Sequence, residues 1–340
     1  MTGPHVTAPA AAALDLGYVT ATESCLPQHL GEVGGKAVGL GSLLRAGQRV
    51  APSFVVTAAA YRDYVASGTR ELSPAVRQAI GSRYSALSEQ HAADLTVAVR
   101  SSATVEDSTE ASCAGQFRTY LGACGVEEVL AQVEQCWIAA LEPQVSSYRA
   151  ERQLAADDDG LAVIIQELVD ARAAGVMFTQ HPRTGDRSLV VIESSYGLGE
   201  AVVGGEVTPD LFEVNRITRR IHHSRVGAKP FEHRLAPDGR SIEILPVDHG
   251  RQQAWSISDE QVMALLALAG ELEAKLGRGL DVEWAIGTTA GQAGEDALFA
   301  LQVRPITAGS RQPPAVRSNL DAVDHILGRL AGRRLGNGAG

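Results

Sequence analysis

Two stretches near the carboxyl end of this 340-residue chain, "DVEWAI" at 281–286 and "LFALQVRPIT" at 298–307, constrain the fold most. Each alternates polar and apolar residues with period two, which is the pattern of a strand with two unlike faces. Asp281 and Glu283 share one face, opposite Val282 and Trp284, and on the second run Gln302 and Arg304 share a face. The loop "GTTAGQAGED" between them makes the two runs neighbours in one sheet. That sheet carries two carboxylates, an amide and an arginine among apolar residues. An Mg²⁺–polyphosphate complex needs such a set, with oxygen ligands for the metal and a cation for phosphate. A cross-strand salt bridge between Glu283 and Arg304 accounts for the same residues, and is worth little if exposed. The apolar neighbours argue against exposure.

A second constraint is "GEVGGKAVGLGSLLRAG" at 31–47. Ala37, Leu40, Leu43 and Leu44 form one apolar stripe at helical spacing, and Gly47 is the stop. A Walker-type loop requires G-x-x-x-x-G-K-[ST]. Here Leu30 stands where the first glycine belongs and Ala37 where the hydroxyl belongs. The dinucleotide fingerprint fails as well, because "GLGEAV" puts Val202 at the third glycine. Lys36 nevertheless sits at a glycine-rich helix start, where an anion is favoured. A solvated lysine in a turn fits the local pattern equally well. In "VAVRSSATVED", Arg100 ends a strand, where its guanidinium can fork onto phosphate oxygens. An ion pair with Glu106 or Asp107 is the alternative. "EASCAGQFRTYLG" supplies Ser112, Ala114, Gly115 and Gln116, small or polar residues that permit close backbone approach to a ligand. An ordinary hairpin turn is the other reading.

Composition sets the outer limits. Hydrophobic residues make up 45% and charged residues 21%, enough for a sizeable core in one large domain or two lobes. The net charge of −10 and the pI of about 5.4 exclude the basic footprint of a nucleic-acid binder. The four cysteines form no CxxC pair, so a zinc ribbon is not expected and a reducing cytoplasm is. No run reaches transmembrane length, and the first residues lack the pattern of a signal peptide. The reading is a cytoplasmic protein with no membrane partner. "SFVVTAAAYRDYV" reads as a strand, a Thr57 cap and a helix. "LTVAVRSSA", "LAVIIQELV" and "SLVVIESS" read as strands, and "GVEEVLAQVEQCWIAAL" as an amphipathic helix. "SDEQVMALLALAGELEAKLG" is a helix with a Ser258/Gln261 capping box and Gly277 as its end. Residues 1–17 read as a flexible leader and 308–340 as a polar tail with a short helix at Leu320–Leu330. Adjacent strand pairs mixed with helices give the class α+β.

The stretches "GGKAVGLGSL", "PSFVVTAAAYRDYV", "VAVRSSATVEDSTEASCAGQFRTYLG", "QELVDARAAGVMFTQHPRTGD", "ESSYGLGEAVVGGEVTPD" and "DVEWAI…LFALQVRPIT" occur in one order over roughly residues 18–307. Together they resemble the N-terminal ATP-binding domain of the phosphoenolpyruvate synthase and pyruvate phosphate dikinase family. Rifampicin phosphotransferases and phenylphosphate synthases share that domain. The resemblance implies a two-lobed ATP-grasp fold with ATP in the inter-lobe cleft, the first lobe at 18–165 and the second at 166–307. It implies Lys36 and Arg100 as phosphate ligands and Ser112–Gln116 as a glycine-rich lid. Gln166, Leu168 and Val169, in "QELV", match the hinge whose backbone reads adenine, and Glu200 matches a residue near the ribose. Glu283 and Gln302 match ligands of Mg²⁺ (or Mn²⁺). Arg304 and Asp281 match residues that manage the β- and γ-phosphates.

Departures from the family pattern are Cys113 in the lid, the missing glycine in "APSFVV", and His181 in "TQHP", which reads as a turn-capping histidine rather than a phosphoryl acceptor. Complete members of the family also carry a swivelling domain with a phosphorylatable histidine in a Gly-rich, Ser-His-Ala-like segment. None of the nine histidines here lies in one. The first expectation is therefore an ATP-binding component that phosphorylates a histidine on a separate swivelling-domain protein. It would turn ATP into AMP and phosphate and pass the phosphoryl group on to a small molecule. The alternatives are a stand-alone ADP-forming kinase and a non-catalytic ATP sensor. The final acceptor is not legible.

Overall fold

The computed structural model describes residues 16–89, 95–103, 119–141, 160–289 and 296–306. The expected leader up to residue 15, the lid residues Ser112, Cys113, Ala114, Gly115 and Gln116, the acidic pair Glu106 and Asp107, and the tail beyond 306 lie outside the described residues.

Two antiparallel sheets carry the fold. The first has the order β1-β2-β5-β3-β4 and comprises β1 (Val19–Ala21), β2 (Ser53–Val56), β3 (Thr96–Ala103), β4 (Thr119–Cys124) and β5 (Leu161–Glu167). Its central strand β5, "LAVIIQE", is buried at every position, so it needs cover on both faces. Helices α2 (Ala58–Ser67), α3 (Pro74–Ser88) and α4 (Val126–Ala140) cover one face, with Tyr61 and Tyr64 packed on Trp137. Helix α1 (Leu30–Arg45) covers the other. The second sheet has the order β13-β12-β6-β7-β8-β9. Its strands are β6 (Asp170–Phe178), β7 (Leu189–Tyr196), β8 (Asp210–Asn215), β9 (Arg220–Arg225), β12 (Leu280–Thr288) and β13 (Ala297–Pro305). A separate hairpin, β10 (Phe231–Leu235) with β11 (Ile242–Pro246), follows β9, and the short turns α5 (Glu200–Val203) and α6 (His249–Gln252) and the long helix α7 (Asp259–Leu276) complete the chain. This is the two-lobed α+β architecture expected of an ATP-grasp chain.

Helix α1 joins the lobes. Buried Ala37, Leu40 and Leu43 pack with Val55 and Ile164 of the first sheet and with Val282 and Trp284 of the second. Each leucine contributes about 1.5–3 kcal/mol of burial. Leu44, expected on the same stripe, is only half-buried. Gly39 allows the approach, since a Cβ there would collide with the Val303 carbonyl. The helix is also kinked where the sequence does not announce it. Gly34 has φ 75° and ψ 167°, and a Cβ would run into the Ser102 main chain. Ser102 holds the kink, its hydroxyl donating to Val33 O (2.8 Å) and accepting from Ala37 N–H (3.2 Å). The helix therefore restarts at Gly35, which puts Lys36 in a first turn.

Local signals fared unevenly. The Ser258/Gln261 capping box is present and Gly277 ends α7. Thr57 occupies the N-cap of α2, but its side chain makes no cap; it donates to Gly17 O at 2.6 Å and ties the first described residues down instead. The β10–β11 hairpin crosses to the first lobe, where the Thr96 hydroxyl donates to Gly239 O. Among the described residues no helix is long and apolar enough to cross a membrane.

Candidate active site

The two expected polar strands pair in register, Asp281 opposite Arg304 and Glu283 opposite Gln302, two rungs apart on β12 and β13. The simple cross-strand partner for Glu283 is not the one found. Arg304 bonds Asp281, its Nε and Nη2 lying 3.0 and 2.9 Å from Oδ2. Glu283 is held by Arg100, which reaches across from β3 of the first lobe. Arg100 Nη2 is 3.0 Å from both Glu283 Oε2 and Gln302 Oε1, while Nη1 donates to Gln166 Oε1 and Leu301 O at 3.1 Å. The side chains of this pair are 12% and 16% exposed, so it is shielded from bulk screening. Glu106 and Asp107, the partners the sequence offered for Arg100, lie outside the described residues; among the described residues Arg100 bonds Gln166 of its own sheet and Glu283, Leu301 and Gln302 of the opposing sheet.

Lys36 Nζ donates to Ser101 O at 3.1 Å, which brings it to the residue beside Arg100. Gln166, expected to open the second lobe, lies on β5 of the first sheet, so Lys36, Arg100 and Gln166 on the first-sheet side and Asp281, Glu283, Gln302 and Arg304 of the second sheet form one zone between the sheets. The residues fit an Mg²⁺–nucleotide complex. Glu283 and Gln302 direct two oxygens at one point, now met by a guanidinium nitrogen, and oxygen donors suit Mg²⁺. No cluster of three His, Cys, Asp or Glu ligands occurs among the described residues, so phosphate oxygens and water would have to complete the shell. Gln166 Nε2 is buried without a partner among the described residues, a donor that a bound anion would satisfy.

The apolar residues expected to form the hinge lie in a small apolar cluster. Leu168, Val169, Ala171, Leu198, Phe299 and Leu301 belong to it, together with Ile242 from the hairpin. The Leu168 N–H already donates to Thr96 O at 3.0 Å, so that residue can offer an adenine ring only its carbonyl and side chain. Glu200 lies nearby on α5, half-exposed, with its Oε2 3.3 Å from His233 Nδ1. His233 is pushed up to about 9, first by the hydrogen bond to Glu200, then by Glu206, and against its burial. His181 is the turn cap expected of it, its Nδ1 accepting from Arg183 N–H (3.2 Å) and Thr184 N–H (3.3 Å).

Sequence reasoning missed a buried network at the start of β8. Lys229 pairs with Asp210, both with 0% of the side chain exposed. Asp210 also accepts from Gly227 N–H (2.9 Å) and from the N–H and hydroxyl of Ser256 (both 2.7 Å). The one available signal was a lysine inside the small and apolar run "GAKPF".

Comparison with known proteins agrees with the geometry. The family described as "Pyruvate phosphate dikinase, AMP/ATP-binding domain" matches residues 68–322. A probable phosphoenolpyruvate synthase of Archaeoglobus fulgidus is 35% identical over 309 residues, which cover 81% of this chain and 40% of that protein. The prodigiosin synthesizing transferase PigC of Serratia marcescens is 36% identical, with 84% of this chain and 33% of that protein covered. A rifampicin phosphotransferase of a Streptomyces species is 33% identical, with 82% and 34% covered. The chain thus spans well under half the length of each of these relatives.

Proposed function

The chain belongs to the pyruvate phosphate dikinase AMP/ATP-binding domain family, and from that premise we propose that it is the ATP-using component of a phosphoenolpyruvate synthase-like dikinase. The observation that carries the reading is Arg100, a first-lobe cation that converges with the second-lobe oxygens of Glu283 and Gln302. Phosphoryl transfer is accelerated mainly by positioning and charge neutralisation, and this zone concentrates both.

In this reading ATP lies between the lobes, with adenine against Leu168 and Val169 and the ribose near Glu200. Lys36, Arg100 and Arg304 bind the triphosphate, and Gln166 donates its buried Nε2. Asp281 orients Arg304 through the bonds to Oδ2. Glu283 and Gln302 would hold Mg²⁺, which when bound neutralises phosphate charge and polarises the bond to be broken. Arg100 then exchanges the two ligands for phosphate oxygens, which conserves its charge-assisted bonds. Closure of the lobes excludes water from the phosphoryl group in transit.

The acceptor is a histidine on a swivelling domain outside these 340 residues. The β-phosphoryl ends on that histidine, AMP and phosphate leave, and one water is taken up. The histidine then passes the group to a small molecule. The test is incubation with Mg-ATP, alone and with a phosphohistidine-domain protein, followed by quantification of ADP, AMP and phosphate. AMP and phosphate should form only with the histidine protein, and Lys36→Ala or Arg304→Ala should abolish them. ADP from the chain with a small-molecule acceptor would replace this reading with a stand-alone kinase. Tight ATP binding without turnover would replace it with a sensor.

A further inference from the structure

Glu200 opens a single helical turn, a poor platform for holding one carboxylate in one place. The neighbouring structure supplies the hold. His233, buried on β10, sits between two glutamates, its Nδ1 3.3 Å from Glu200 Oε2 and its Nε2 3.2 Å from Glu206 Oε2. Its ring stacks on Phe231 with centroids 5.9 Å apart, which fixes the plane of the imidazole. Its main chain grips the same segment, because Leu198 N–H donates to His233 O at 2.8 Å and Gly197 bridges to His233 in parallel. Leu198 in turn packs in the apolar cluster with Leu168 and Val169 of the hinge. One residue therefore ties the turn that carries Glu200 to the strand beside the hinge, by backbone and side chain together. The two glutamate side chains are 44% and 46% exposed, so the histidine anchors carboxylates that themselves remain accessible. Among the described residues only Oε2 of Glu200 is engaged. A carboxylate is an acceptor only, and the hydroxyls of a ribose are the donors it matches.

We propose that His233 is a positioning residue that fixes the Glu200 carboxylate beside the hinge, so that its other oxygen accepts from the ribose hydroxyls of the bound nucleotide. The inference rests on the ATP-cleft reading above. His233 itself touches no substrate. Its effect is on sugar selectivity, which general support of the fold would not change.

The experiment is equilibrium binding of Mg-ATP, Mg-2′-deoxy-ATP and Mg-3′-deoxy-ATP to the full chain. The native chain should prefer ATP over at least one deoxy analogue by about 10-fold or more, the size of one hydrogen bond to a charged group. His233→Ala should lower that preference below about 3-fold by weakening ATP while leaving the deoxy analogue unchanged. Glu200→Gln should do the same. His233→Gln keeps an N–H donor and should retain an intermediate preference, and it decides the matter if the alanine variant fails to fold. Equal weakening of ATP and its analogues in the His233 variants would show general support of the fold and overturn the inference. Selectivity lost in Glu200→Gln but intact in the folded His233 variants would also overturn it, with the ATP cleft untouched. A native chain that binds none of the three nucleotides would remove the cleft reading and this inference together.

Discussion

The Asp210–Lys229 pair allows a stability prediction of definite size. Lys229→Met keeps most of the side-chain volume, so the substitution opens little cavity and isolates the loss of charge. It leaves the Asp210 carboxylate with no solvent exposure and no counter-ion. Breaking a buried pair in this way costs about 3–5 kcal/mol. Three donors remain on the carboxylate, Gly227 N–H and the two from Ser256, so the lower end of that range applies. With an unfolding entropy of about 2.1 cal/mol/K per residue over 340 residues, a loss of about 3 kcal/mol lowers the melting temperature by roughly 4 °C. Urea and thermal unfolding followed by circular dichroism measure it. The double variant Asp210→Asn/Lys229→Met buries no charge and should recover a good part of the loss, as replacement of a whole buried pair often does. A single variant within about 1 kcal/mol of the native protein would refute the reasoning. So would a double variant less stable than the single one, since the harm would then come from packing rather than from an orphaned anion.

Three further outcomes follow from the same geometry. Arg100→Met removes the cation that meets Glu283 and Gln302, so Mn²⁺ binding without nucleotide, read by electron paramagnetic resonance, should strengthen, while ATP affinity should fall by about 10–100-fold. The His233 contacts hold its proton more tightly in the fold than in the unfolded chain, from 6.5 up to about 9. Their contribution of about 1–3 kcal/mol is then complete below pH 6.5 and disappears as the pH rises through about 9, so melting temperatures of the native chain and His233→Gln should converge across that window. Burial pushes the Cys25 and Cys136 thiols up to about 12, so both should resist a thiol reagent at pH 8 in the folded protein and react once it is unfolded.

What the sequence determined by itself was whatever depends on near neighbours in the chain. Period-two alternation places Asp281 with Glu283 and Gln302 with Arg304, because a pleated strand cannot do otherwise. The Ser258 cap and the Gly277 stop delimit α7, because caps act within one turn. The ordered motifs from Lys36 to Arg304 identified the family. The tertiary structure alone decided who pairs with whom. Glu283 takes Arg100 from 183 positions away rather than Arg304 two rungs along the same hairpin, since charges respond to distance in space and α1 brings the two sheets together. The kink at Gly34, which carries Lys36 to the end of β3, is held by the hydroxyl of Ser102, whose main chain leaves no room there for a side chain. Lys229 looked like any surface lysine until β8 and the segment before β10 closed around it, and His233 acquired its two glutamates only when β10 met the turn after β7. Local geometry is written in local sequence, but the partner of a buried charge is chosen by the packing of elements far apart in the chain.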